Sequence, residues 1–126
     1  MNLEKVIFGF FILLAATLNF GFVYGDMDNP QHHPSWELFA AVVVNLIATV
    51  LKFGDRTHIG AVHLAASLVA LLQLTAASLF WFFAPKVADG TVGPAIAGIV
   101  SLAAGALLAN FVSVIIMIVE TTLQRR

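Results

Sequence analysis

Four long apolar windows dominate the sequence and constrain its fold more than any other feature. A membrane-spanning helix needs about 20 consecutive, mostly apolar residues. The windows that qualify run from Val6 to Tyr24, from Trp36 to Phe53, from Ile59 to Ala84 and from Gly93 to Val119. Of the 126 residues, 60% are hydrophobic and 10% are charged, whereas soluble domains carry about 25% charged residues. The sequence therefore predicts an all-α membrane protein, one domain over residues 1–126 with four transmembrane helices in the lipid bilayer.

The first window also has features of a secretory signal peptide. The residues "MNLEK" precede its apolar stretch, and "VYG" lies just before Asp26, where a small-residue cleavage site would stand. We interpret this window instead as a retained transmembrane helix. Because the connections between windows are roughly ten residues or fewer, we expect consecutive helices to pack as antiparallel neighbours in one bundle.

The distribution of positive charge predicts the orientation, since Lys and Arg near helix ends favour the cytoplasmic side. The cations at the N-terminus, the second connection and the C-terminus are Lys5, Lys52, Arg56, Arg125 and Arg126. The other two connections contain only Lys86. We therefore expect a bacterial-type inner-membrane protein with both termini in the cytoplasm. The chain has no cysteine, which excludes disulfides and thiolate metal sites, and no basic patch indicates nucleic-acid binding.

Two pairs of segments resemble each other at nearly equal offsets. "AATLNFGF" at 15–22 resembles "AASLFWFF" at 76–83, an offset of 61, and "VNLIATVLKFGD" at 44–55 resembles "ANFVSVIIMIVE" at 109–120, an offset of 65. The pattern indicates a duplicated helical hairpin. The alternative is the general similarity between any two apolar helices, and the sequence leaves both interpretations open.

Each window contains one side-chain amide, and these are Asn19, Asn45, Gln73 and Asn110. Lipid offers them no hydrogen-bond partner, so they should turn toward other helices. From the helix rise, the amides of the second and fourth windows would lie about 12 to 14 Å above the cytoplasmic ends, and the other two about 20 Å above them. We interpret these two polar layers as interhelical hydrogen bonds, each worth about 0.6 kcal/mol, with the lining of a pore as the alternative.

Charged side chains are missing from the middle of every window, where proton-coupled exporters usually keep a carboxylate. Glu37, Asp55 and Glu120 all fall at window ends. His63 is the only titratable group well inside a window, about one helical turn from the cytoplasmic end. We expect it to bond a neighbouring helix, with a proton relay as the alternative.

The fourth window carries a ladder of small residues at every fourth position: Gly93, Ala97, Ser101, Gly105, Ala109 and Ser113. Residues four apart are neighbours on a helix surface. Small side chains let two helix backbones approach closely, which favours association in lipid. The ladder therefore predicts a helix-packing face, either within the protein or between copies of it.

The segment "GTVGP" at 90–94 resembles the "TVGYG" filter of potassium channels in its Thr-Val-Gly. Pro94 and Ala95 stand where that family has Tyr-Gly. We interpret Gly90 and Gly93 as turn residues and Pro94 as the first-turn proline of the fourth helix.

A second segment, "VVVNLIATVLKFG" at 42–54, resembles the second helix of the small bacterial fluoride channels. The resemblance implies a dimeric channel with Asn45 in its polar track and Phe80, Phe82 or Phe83 as pore phenylalanines. That family's glycine-rich, arginine-containing first helix and the break in its third helix have no counterpart in this sequence.

The first connection, "GDMDNPQHHPSWE" from Gly25 to Glu37, concentrates chemically active side chains. Its candidate metal ligands are Asp26, Asp28, His32 and His33. Adjacent histidines in an extended segment face opposite ways. A calcium-binding loop needs a glycine at its sharp turn and a distal bidentate Glu, and Pro30 stands where such a loop would bend. We therefore favour a structural turn, capped at Ser35, in which His32 and His33, like His63, are candidate pH-sensitive groups.

These features favour a non-catalytic subunit that packs against copies of itself or against a larger membrane protein, with ion transport as the expected role. The first alternative is a small oligomeric channel for an ion or solute, lined by the four amides. The second is a membrane enzyme with a metal site in the first connection. We expect neither enzyme activity nor a cofactor, because no nucleophile or base accompanies those ligands.

Overall fold

The computed structural model describes residues 3–25, 33, 35–53, 58–87, 90 and 92–124, and these are helical apart from short connecting segments. The helices are α1 (Leu3–Val23), α2 (Ser35–Lys52), α3 (His58–Phe83) and α4 (Ile96–Gln124), and a 3-10 turn at Gly93–Ala95 leads into α4. All four are long and apolar enough to cross a membrane. The prediction of an all-α, multi-pass membrane protein with four spans is therefore confirmed.

The helix ends follow the predicted windows closely. The first helix begins three residues before its window. The fourth begins at Ile96, three residues into its window because a 3-10 turn precedes it, and continues five residues beyond, while the other ends agree to within one residue. Glycines in the left-handed region mark the connections, since Gly25 has a φ of 111° and Gly93 a φ of 60°. Pro94 follows directly in the first helical turn, as its fixed φ favours.

The four helices form a bundle in which each packs against two others. Contacts join α1 to α2, α2 to α3, α3 to α4, and α4 back to α1. An ion pair of 2.5 Å between Lys5 Nζ and Glu120 Oε1 joins the start of α1 to the last turns of α4. Gly21 near the end of α1 lies against the Glu37 carboxylate at the start of α2. The first and last helices thus close the ring.

The apolar core divides into two clusters along the bundle. The larger contains Phe22, Leu38 and Leu74 together with the start of α4 and many alanines, and the smaller contains Phe8, Ile12 and Ala48. The alanines allow the helices to approach closely, which lets dispersion contacts stabilise the bundle in lipid. Buried polar side chains complete the interior between and beside these clusters.

The outer surface of the bundle is apolar on all four helices. Large side chains such as Phe10, Leu46, Leu72 and Leu108 are exposed on it. A contiguous apolar surface of this extent is typical of proteins that contact lipid rather than water. In a membrane this surface contacts the bilayer.

Replacing Phe22 with Ala should destabilise the bundle, because its ring is fully buried in the larger cluster. Truncating a buried Phe costs about 3 kcal/mol through lost contacts and the cavity left behind. Phe20 on the same helix is half exposed, so Phe20→Ala is the matched control. Thermal unfolding in a mild detergent should show a lower midpoint for Phe22→Ala only. An equal shift for both variants would contradict this assignment of the core.

Candidate functional site

The polar interior of the bundle is the candidate functional site. Five amide and hydroxyl side chains from the apolar stretches of the sequence are fully buried between the helices: Asn19, Asn45, Ser67, Asn110 and Ser113. They come from all four helices. Their heights in the bundle follow from the helix contacts.

Contacts between α3 and α4 fix the relative position of these two helices. Phe80 lies beside Gly98, and Gln73 lies against Gly105. Seven residues separate the two contacts on each helix, and they run in opposite chain directions, from 73 to 80 and from 105 to 98. Continuing one such step places Ser67 level with about residue 111 of α4. Ser67 and Asn110 therefore lie at one height.

Contacts of α1 place Asn45 at the same height. Two contacts align α1 with α2: Phe8 of α1 with Lys52, and Gly21 of α1 with Glu37. Asn45 of α2 is therefore level with about residue 14 of α1. The contacts between α1 and α4 are Gly9 with Met117, and Asn19 with Ala103 and Leu107. Residue 14 of α1 is therefore level with about residue 111 of α4. Asn45, Ser67 and Asn110 thus form a middle polar layer, with Ser113 about one turn away along α4.

Asn19 and Gln73 lie at a second height, near residue 105 of α4. In the amide orientation that satisfies both neighbours, Asn19 donates to the carbonyl oxygen of Ala103 at 2.9 Å and accepts from the amide of Leu107 at 3.1 Å. The Gln73 carboxamide occupies the space that a side chain at position 105 would take. Asn19 therefore ties α1 directly to the α4 backbone.

The middle polar layer and the nearby Ser113 contain several polar atoms that make no hydrogen bond to any described residue: Asn45 Oδ1, Ser67 Oγ, Asn110 Oδ1, Asn110 Nδ2 and Ser113 Oγ. The Asn45 amide nitrogen does donate to the carbonyl oxygen of Ala41 at 2.9 Å. Buried polar atoms are nearly always bonded to protein or to water. A group of such atoms at one height is therefore the main chemical feature of the bundle.

Aromatic side chains meet at the end of the bundle where Lys5 pairs with Glu120. The rings of Phe8 and His63 meet edge to face at 5.0 Å between centroids, and both are buried. The Lys52 ammonium lies 4.2 Å from the centroid of the Phe8 ring, a cation–π contact. His63, the predicted intramembrane titratable group, therefore packs against α1.

Aromatic side chains also meet around His33 at the opposite end of the bundle. This histidine is fully buried, and its Nδ1 pairs with the carbonyl oxygen of Phe22. The centroid of the Phe22 ring lies 5.6 Å from that of the His33 ring and 6.2 Å from that of the Trp81 ring. His33 thus packs against the end of α1, and Phe22 joins that end to α3.

The other candidate metal ligands of the first connection, Asp26, Asp28 and His32, lie outside the described residues. Within the described ranges, no three His, Cys, Asp or Glu side chains are grouped as a metal site would require. The preference for a structural turn over a metal site stays a prediction. Ser35 begins α2, as the sequence indicates.

The structure divides the small-residue ladder of α4 between two environments. Ala97 and Ser101 are exposed on the outer surface. Gly105 lies against Gln73, Ala109 is partly buried and Ser113 is fully buried. The reason is geometric, because four residues turn a helix by about 400°, so each step of the ladder shifts it about 40° around the axis. The later part of the ladder, from Gly105 to Ser113, therefore packs within the bundle. The earlier part, Ala97 and Ser101, which we call the outer half, does not.

Sequence reasoning missed Ser67 and Thr49, both buried in the interior. Each stands four residues after a recognised polar residue, Ser67 after His63 and Thr49 after Asn45, and so on the same helix face. The Thr49 hydroxyl donates to the carbonyl oxygen of Asn45 at 2.8 Å. Polar pairs spaced four apart would have indicated the inward faces of α2 and α3.

Asn19→Leu should weaken the contact between α1 and α4. The change removes both hydrogen bonds to the α4 backbone, and such interhelical bonds contribute about 1 kcal/mol. Thr17→Val is the control, because the Thr17 hydroxyl is exposed and bonds only the Leu14 carbonyl oxygen of its own helix. The free energy of unfolding in mixed micelles should fall for Asn19→Leu alone. No difference between the variants would show that the bonds contribute nothing.

Comparison with known proteins gives one match. No curated protein and no solved structure matches the chain significantly. A family described as of unknown function, DUF6394, matches residues 32–121, a region that contains α2, α3 and most of α4. Because this region covers more than half of the chain, the protein belongs to the DUF6394 family.

Proposed function

We propose that the protein is a non-catalytic subunit of a membrane complex in a bacterial-type inner membrane. In this proposal its four helices are antiparallel, both termini are cytoplasmic, and it associates with copies of itself or with a larger membrane protein. We assign the complex to ion transport, because the buried amides and hydroxyls suit a protein that handles small polar species.

The helix contacts support the antiparallel arrangement. Lys5 pairs with Glu120, so the start of α1 and the end of α4 lie at one end of the bundle. Lys52, the last residue of α2, lies over Phe8 near that same end. Lys86 follows α3 at the other end. With positive charge favouring the cytoplasm, this distribution supports the proposed orientation.

Burial along α2 and α4 supports the duplicated hairpin. At the offset of 65 residues the buried positions Leu38, Ala41, Asn45 and Ala48 correspond to Ala103, Ala106, Asn110 and Ser113, which are all buried. The corresponding comparison of α1 with α3 at 61 residues pairs buried Asn19 with exposed Phe80. The support is therefore confined to the second helix of each hairpin.

The observation that carries the subunit proposal is the outer half of the α4 ladder. Ala97 and Ser101 lie on the same exposed stripe as Leu108, Ile115 and Val119, which are large. The small residues let another helix approach the α4 backbone closely, and small residues at such positions favour helix association in lipid. The bundle itself does not use them.

Ala97→Leu and Ser101→Leu should therefore reduce association without unfolding the bundle. A larger side chain at these positions keeps the partner backbone away and removes the close contact. Native mass spectrometry from a mild detergent should show the wild-type protein as an oligomer or with a larger membrane protein, and the variants mainly alone. Ile115→Leu, on the same stripe, is the control and should associate normally. A wild-type protein that is always monomeric and alone would overturn the subunit proposal.

The second candidate function is a channel for a small ion or solute. It is favoured by the unbonded polar atoms of the middle polar layer, since polar groups line selective pathways through membranes. In this candidate the path runs along the bundle interior past Asn45, Asn110, Gln73 and Asn19.

Asn45→Leu should separate the two candidates. A channel predicts that purified protein alone carries ion or solute flux in liposomes and that Asn45→Leu abolishes most of it, because the apolar side chain interrupts the polar path. Leu46→Ala, on the exposed face of α2, is the control and should leave the flux unchanged. Absence of flux from the wild-type protein would exclude the channel under those conditions.

A further inference from the structure

We propose that the middle of the bundle is a closed water-binding site formed by Asn45, Ser67, Asn110 and Ser113. The site would hold a small cluster of water molecules within the membrane-spanning part of the protein. This inference rests on the geometry of one protein chain and does not depend on the subunit proposal.

The four side chains converge on one region of the interior. Asn45, Ser67 and Asn110 are level with one another on α2, α3 and α4, and Ser113 follows one turn further along α4. All four are fully buried. Each nevertheless has at least one polar atom without a hydrogen-bond partner among the described residues. Such atoms are costly to bury dry, at about 1 to 3 kcal/mol each.

The atoms match water better than a cation. The Oδ1 atoms of Asn45 and Asn110 are acceptors, the Asn110 amide nitrogen is a donor, and the two serine hydroxyls are both. Water offers two donors and two acceptors, and buried waters typically make about three hydrogen bonds to otherwise unsatisfied groups. A bare cation would leave the Asn110 donor unsatisfied, and no described carboxylate lies at this height to balance its charge.

The neighbouring side chains are small. On the buried faces next to the polar layer stand Ala15 of α1, Ala48 of α2, Ala70 of α3 and Ala106 of α4. The bulkier Ile12 of α1 and Val44 of α2 are also buried near this height, and they bound the polar atoms beside the alanines. Water requires several polar partners in a space of about 10 to 15 Å³ or more, and an alanine-lined polar layer suits that requirement.

Buried aromatic contacts lie toward both ends of this region, and we take them as its boundaries. Phe8 and His63 meet at the end where Lys5 pairs with Glu120. Phe22 contacts His33 and Trp81 at the opposite end. Bound water would thus exchange slowly and would not form a continuous path across the bilayer. This closure distinguishes the site from a channel.

Water-edited solid-state NMR of the protein in lipid vesicles tests the proposal. Magnetisation from water should reach the side-chain amide of Asn110 several times more strongly than that of Asn19. Both amides are fully buried, but Asn19 is satisfied by the α4 backbone, so it serves as an internal control. Transfer to Asn110 no stronger than to Asn19 would overturn the proposal, because the layer would then be dry.

Two variants and a permeability measurement sharpen the test. Asn110→Leu should abolish water transfer to the Asn45 amide, since it fills the site with an apolar group. Ser67→Ala is a milder change, and it should reduce transfer to Asn110 in a protein that keeps the wild-type fold. Unchanged transfer in the folded variants would overturn the assignment of these residues. Stopped-flow shrinkage of the vesicles should show no protein-dependent water flux, and a large flux would show that the region is open and not a closed site.

Discussion

The absence of hydrogen-bond partners in hydrocarbon is the constraint on which this structure depends. It requires helices for the backbone, and it requires every amide and hydroxyl within a span to find a partner inside the protein. Asn19 finds the backbone of α4, and Thr49 and Asn45 each bond a carbonyl oxygen of their own helix. The polar side chains therefore decide which face of each helix turns inward.

Close helix approach is the second requirement, and it is met by pairing a large side chain with a small one. Met117 lies over Gly9, Gln73 over Gly105 and Phe80 beside Gly98. Each contact joins two helices where one presents little more than backbone. In lipid, where apolar burial between helices gains little, such contacts contribute dispersion energy that bulky pairs at the same positions could not.

The spans and the inward amides could be predicted from the sequence because both depend on one helix at a time. Length and hydropathy identify a membrane helix without knowledge of its neighbours, and an isolated Asn or Gln in an apolar stretch is conspicuous. Ser67 is less conspicuous, since a serine in a helix can bond its own backbone and so need not face a partner, and only its spacing of four residues from His63 indicates an inward position. Its position matters only once the register of α3 against α4 is known.

The small-residue ladder of α4 shows more clearly what sequence spacing alone could not predict. Its spacing of four indicated one contact face, but the drift of about 40° per step moves its ends to different sides of the helix. Ala97 is therefore exposed while Ser113 is buried. A spacing that alternates between three and four residues, as in Ala103, Ala106, Asn110 and Ser113, follows the buried face instead.

The ion pair of Lys5 with Glu120 and the bonds of Asn19 to α4 join α1 to a helix that is synthesised about 100 residues later. Until α4 has entered the membrane, the carboxamide of Asn19 has no backbone to bond, and α1 remains unsatisfied on that side. Completion of the bundle therefore requires the insertion of α4. A protein cut short before α4 would present a bare amide within the bilayer, a feature by which membrane quality control can recognise an unfinished protein.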